Sequence, residues 1–497
     1  MDDIPIGTIG AGAAATVDQS GGVRPSGAGW QVEWWVASEQ RWHHPRGDHT
    51  LRQRLVDGLP VVETAVRVPS GDVVGTAFAF AGSGGSPQLA LGVRNDSPLP
   101  VAVAFVLGPA SGVTVAGSEV RVGDEVAMAL SRTPAVVVAA DSLEGLRDAV
   151  VDATGISDAP LAGYVAVVVP VPHAQSCETR LGPFVDVDVA APGVAQLCAG
   201  WASHLGRGAG WTIPSPDAER VRRAAAEVAL GPLDRTDLGQ VARNLRAVLH
   251  LGWFEGAADP TDVLLAAQRS KGAIGDDRAT IDSLSALSAW RLSGVPSLHL
   301  EGVALATAAA ARRVARRWQR MDPALRSEAR EALEEAAAFL ASVGEPQAAV
   351  PVPPPVSPPV RPESRRDRDD AASMVVGLVR GLVQDTNDGV ELLGAWRLDW
   401  RGVSIEATDV PTRWGRVSFA LRWHSERPAL LWELKSWDPE YEAAPQFSAP
   451  AFDPQWVGHG RAGEVLLEAN FDQPLAIPRR ARRSKGVSGG SGAGEVS

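Results

Sequence analysis

Residues 251–284 read LGWFEGAADPTDVLLAAQRSKGAIGDDRATIDSL, and within them Glu255, Asp276 and Asp277 stand beside helix-breaking glycines, with Trp253 and Phe254 close by. Such a set suits carbohydrate chemistry. An aromatic ring covers the apolar face of a pyranose, while two carboxylates divide the work of protonating a glycosidic oxygen and activating a water. Glu255, Asp276 and Asp277 are therefore the candidate catalytic residues, and Trp253 the candidate sugar-binding residue. The same residue types have a structural use. Asp276 or Asp277 could cap a helix beginning near Arg278, and Asp259 could cap one beside Pro260 at its first turn. Both readings stay open.

Other constellations carry less. RWHHPRGDH holds His43, His44 and His49, but their spacing in a loop without cysteine does not match a zinc site. IGAGAAA, with Gly10, Gly12 and Ala15, matches a dinucleotide fingerprint, yet Pro5 spoils the strand before it and no helix pattern follows. No nucleophile elbow, phosphate-binding loop or cysteine-centred site occurs. No metal and no cofactor is expected.

The elements that must position these residues change type along the chain. Residues 1–29 are rich in Gly, Ala and Ser without periodicity and read as a disordered arm. From 30 to 190 the pattern is period two, as in LPVVETAVRVP, DVVGTAFAF and LPVAVAFVLGP, which predicts a large antiparallel β-sandwich with a helical insert at SLEGLRDAVVD. From 191 to 344 the period becomes 3.6, with helices expected at 217–230, 236–251, 260–270, 278–293, 298–319 and 323–343, or three hairpins, with Asp217 and Asp322 as caps. A proline-rich linker follows at 345–366, then a further helix within 367–389. A small β domain spans 390–475, and a basic, Gly/Ser-rich tail fills 476–497. In RWGRVSFALRWHSERPALLWEL, Val417, Phe419, Leu421 and Trp423 share one strand face, with Arg416, Ser418, Ala420 and Arg422 on the other. Leu430, Trp432 and Leu434 answer the first face, so Trp423 and Trp432 read as core.

Three stretches carry a family resemblance. VRNDSPLPVAVAFVLGP, at 93–109, is similar to the sandwich strands of the six-hairpin glycosidase-like superfamily, whose members have glucoamylase-, maltose phosphorylase- and trehalase-like architecture. WASHLGRGAGWTIPSPDAERVRRAAAEVAL, from Trp201, resembles the connector that delivers the chain into the first toroid helix. SIEATDVPTRWG looks like the closing β domain of actinobacterial members. The resemblance implies an N-terminal β super-sandwich, an α/α toroid and a small C-terminal β domain. A full toroid has six hairpins, and the seven helices read here make this a reduced one. The family's catalytic carboxylates match no position, so none is carried over. The resemblance thus implies a carbohydrate-binding or scaffold role more than a glycoside hydrolase or phosphorylase, with a structural interaction protein as a third reading.

The bulk properties narrow the partners. At 497 residues several cores are required. A net charge of −12 argues against a nucleic-acid or anionic-membrane role. Two cysteines, the absence of a signal-like start and the lack of a long apolar run lead to the expectation of a cytoplasmic protein with no membrane span. A carbohydrate ligand, and a homodimer or protein partner completing the funnel, are the partners expected.

Overall fold

The computed structural model describes residues 3–468 except 40, 70, 156–160, 183–184, 186–188, 233, 295–299, 345–351, 354–369, 387–388 and 439–443. The proline-rich segment, apart from residues 352 and 353, and the basic tail lie outside the described residues.

Alternating apolar residues build the N-terminal half into one curled antiparallel sheet of 15 strands. Its central strand, Val101–Ala116, pairs with Gln31–Ser38 on one side and Leu161–Val171 on the other. The odd positions Val101, Val103, Phe105 and Leu107 point into a fully buried interior. The polar turn between Pro87–Asn95 and Val101–Ala116 joins two strands that do not pair with each other. Asn95 makes that handover possible: it is fully buried, donates to the Leu99 and Val171 carbonyls, and accepts from Ser97.

Residues 1–29 depart from expectation. Instead of a disordered arm, the described residues from 3 onward form strands Ile4–Thr8, Gly12–Val17 and Val23–Pro25 at one edge of the sheet. Ile4, Ile6, Ala15 and Val17 supply the buried positions, and small residues between them hide the alternation. Gly10 and Gly12, at φ +74° and +81°, turn the hairpin rather than cradle a pyrophosphate.

The helices are α1 (Leu143–Asp152), α2 (Val194–Leu205), α3 (Asp217–Leu230), α4 (Leu238–His250), α5 (Ala258–Ala267), α6 (Asp277–Ser288), α7 (Leu300–Arg317), α8 (Pro323–Ser342) and α9 (Ala371–Leu382). α6 packs on α4, α7 and α8, and α3 lies mainly against α9, so alternate helices share a layer in a partial α/α toroid. Asp322 caps α8 through the Ala324 N–H. Asp217 is no cap: it lies inside α3 and pairs with Arg220 and Arg397. Asp259 is no cap either, because α5 begins at Ala258, ahead of it, without a side-chain cap.

After α9 come two small sheets. One runs Gly210–Thr212, Ile405–Thr412, Gly415–His424, Arg427–Ser436 and Ala462–Leu466; the other joins Val383–Asp385, Gly389–Leu392, Gln446–Ala449 and Asp453–Gly458. Strand Gly210–Thr212, from the connector, thus pairs with a strand beyond all the helices. Helices and closing sheets share one core that includes Leu249, Trp253, Val417 and Trp432. Trp432 is 8% exposed, while Trp423 is half-buried and donates to the Val403 carbonyl. None of the helices is long and apolar enough to cross a membrane, among the described residues.

Candidate functional site

A cavity of about 630 Å³ opens where the N-terminal sheet, the helices and the closing sheet meet. Its construction begins at the end of α4, where Gly252 takes φ +75° and stops the helix. A short 3₁₀ turn, Phe254–Ala257, runs directly into α5. Glu255 and Asp259 therefore stand one helical turn apart, both exposed and both on the cavity wall.

Trp253 lines the same wall but is only 8% exposed. Its ring lies 5.1 Å from His204 at 49°, and its Nε1–Cδ1 edge lies by Gly208. A Cβ at Gly208 would overlap both the Leu251 carbonyl and the indole, so glycine there lets Trp253 seat. Trp253 is thus a largely buried part of the cavity wall. Phe254, half-buried, is the more open ring.

Three arginines reach the cavity from separate elements: Arg207 just beyond α2, Arg235 between α3 and α4, and Arg416 in strand Gly415–His424. Arg207 lies 4.0 Å from Glu255, whose side chain is 97% exposed. Arg235 donates to the Gly10 carbonyl at 3.1 Å, and the Gly10 N–H donates to the Ala229 carbonyl at 2.9 Å. The N-terminal hairpin is held over the cavity by this pair of bonds. Burial, reinforced by nearby Arg207 and opposed by Glu255, holds the His204 imidazole below its usual range, which leaves it neutral at pH 7.

Of the candidate residues, the structure brings Glu255 and Trp253 together and leaves Asp276 and Asp277 elsewhere. Asp276 caps α6, its Oδ1 accepting the Ala279 N–H at 2.8 Å. Asp277 binds the Arg317 fork through Oδ2 at 2.9 and 2.6 Å. Neither lines the cavity. Two acids with raised pKa, Asp282 and Asp385, are held in ion pairs instead. Burial pushes Asp282 up to about 6 against the pull of Arg243, with which it pairs at 2.8 Å. Burial likewise raises Asp385, between Arg291 and Arg413.

In RWHHPRGDH, His44 meets Trp35 edge-on at 4.5 Å, and burial, with Arg147, lowers it to about 4, while His49 is exposed. Among the described residues no three His, Cys, Asp or Glu side chains group as metal ligands would. Arg207, Arg235, Arg416 and the Gly10 turn escape sequence reasoning because each is distant in the chain from Glu255. The one available signal was Arg416 on the non-core face of its strand.

No family model and no curated protein matches the sequence. Among solved structures, one described as "Putative kojibiose phosphorylase from human microbiome" is similar with a TM-score of 0.46 and 7% identity, over 94% of this chain and 91% of that one.

Proposed function

We propose that this cavity binds a carbohydrate without cleaving it. The observation that carries the reading is the single wall on which Phe254, Trp253, Glu255 and Asp259 converge, in a volume of about 630 Å³. Apolar rings beside convergent hydrogen-bonding groups suit a molecule with an apolar face and a rim of hydroxyls. Binding is favoured over hydrolysis because a general acid needs an enclosed environment to stay protonated. Glu255, at 97% side-chain exposure, has none.

A hydrolase or phosphorylase acting on α-glucosides is the second reading. It rests on the placement of Glu255 and Asp259 four residues apart on one cavity wall, two carboxylates of the kind that acid and nucleophile roles require.

Thermal denaturation of the full chain against a panel of mono- and disaccharides separates the two. Binding predicts a sugar-dependent rise in Tm that Glu255→Ala and Asp259→Ala diminish, with no released sugar or sugar phosphate. Turnover of an α-glucoside that Glu255→Gln abolishes, at unchanged Tm, would establish the enzyme instead. No shift with any sugar would remove both.

A further inference from the structure

Arg416 lies against a pair of aromatic rings that touch each other. Its guanidinium carbon lies 5.8 Å from the Phe254 centroid and 5.6 Å from that of Trp437, and the two rings are 6.0 Å apart at 68°. Trp437 is itself fixed by its Nε1–H, which donates to the Thr412 carbonyl at 2.7 Å. The arginine is half-buried. Among the described residues its one hydrogen bond is long, 3.5 Å from Nη1 to the Asp409 carbonyl. Among the described residues no carboxylate lies within ion-pair distance of it; the Asp409 carboxylate is taken by Lys435 at 3.1 Å.

A guanidinium offers five donors in a rigid fork. Half-buried and, among the described residues, without a counter-ion, it is suited to receive a bidentate oxyanion. The rest of the wall agrees in sign. Arg207, Arg235 and Arg416 face Glu255 and Asp259, three positive groups against two negative, in a chain whose net charge is −12. Neutral His204 does not change that balance. Glycine at 252 keeps the space in front of Arg416 open: a Cβ there would stand 3.4 Å from Nη1 and 3.8 Å from Nη2.

We propose that the ligand of this cavity is an anionic saccharide, carrying a phosphate or carboxylate group that the Arg416 fork receives while the Phe254 to Asp259 wall holds the sugar. Arg207 and Arg235 add a favourable field without being required for the fork. The inference rests on the carbohydrate reading and goes beyond it by naming the charge of the ligand.

Isothermal titration of the full chain with glucose, glucose 6-phosphate, glucuronate and inorganic phosphate, at one ionic strength, tests it. The expected result is that glucose 6-phosphate or glucuronate binds at least about tenfold more tightly than glucose. The stronger of the two identifies phosphate or carboxylate as the group. Arg416→Lys, which keeps a positive charge beside the rings but removes the fork, should erase most of that advantage. Glucose binding equal to that of both anions overturns the anionic inference and leaves the carbohydrate reading standing. Inorganic phosphate binding as tightly as glucose 6-phosphate, with no binding of glucose, overturns the carbohydrate reading. Absence of binding by all four overturns both. The comparison of ligands on the unaltered chain decides even if Arg416→Lys misfolds.

Discussion

Glu255 and Asp276 are equals in the sequence, each an acid beside a glycine at a helix boundary, and their surroundings separate them. Asp276 has its oxygen committed to the first turn of α6, whereas Glu255 projects from a 3₁₀ turn into solvent at the cavity mouth. Removing the cap frees a backbone N–H, so Asp276→Ala should lower stability by about 1 kcal/mol in urea titration. Its response to sugars should stay that of the parent. Glu255→Ala should show the converse, an unchanged denaturation midpoint and a weakened response. An unchanged midpoint for Asp276→Ala would mean that α6 does not depend on its cap. Spacing alone made these two acids indistinguishable, since capping and catalysis both place carboxylates at helix starts.

Among the elements, the connector between α2 and Gly210–Thr212 has little freedom. Gly208 lies against both the Leu251 carbonyl and the Trp253 ring, so any side chain there must move one of them. Gly208→Ala should cost on the order of 1–3 kcal/mol as an overpacking substitution. It should also shift Trp253 and with it the affinity of the cavity; a variant as stable as the parent would show that the connector yields. Much at this scale is legible in the sequence. α3 runs over the residues its periodicity predicts, and strands Gly415–His424 and Arg427–Ser436 bury Val417, Phe419, Leu421, Leu430, Trp432 and Leu434 as their alternation requires. The N-terminal hairpin was hidden because Ala and Gly occupy positions where Val or Ile would have marked the alternation. The cavity was hidden for another reason. Period two assigns Arg416 to the polar face, and only the arrival of α4 and the 3₁₀ turn decides that this face meets a cavity instead of bulk water.

For the whole molecule, charge burial sets the response to pH. Burial lowers His43, His204 and His250 from 6.5, and lowers His44 to about 4. Unfolded, these rings bind protons that the fold excludes, so the stability they contribute is present above pH 6.5 and is lost as pH falls through the lowered values. For His44 the loss reaches at most about 3 kcal/mol below pH 4. Asp282 has the opposite sign: raised to about 6, it makes the fold relatively more stable as pH falls from 6 toward 3.8. The His44→Asn variant should therefore gain on the parent as pH drops from 6.5 to 4, read as the difference in Tm at each pH. A difference independent of pH would show that His44 is not kept neutral by burial.

The pairing of Gly210–Thr212 with Ile405–Thr412 has a consequence for how the chain is made. Trp211 leaves the ribosome long before its strand partner Ala407, and the wall bearing Arg416 follows that partner. The sandwich can close early, since its strands lie within the first 181 residues. The cavity is finished only by the last sheet. A chain cut short before residue 405 would keep its large sheet and its aromatic turn, yet lack Arg416, so an interrupted product could fold in part without the guanidinium fork that receives a charged ligand.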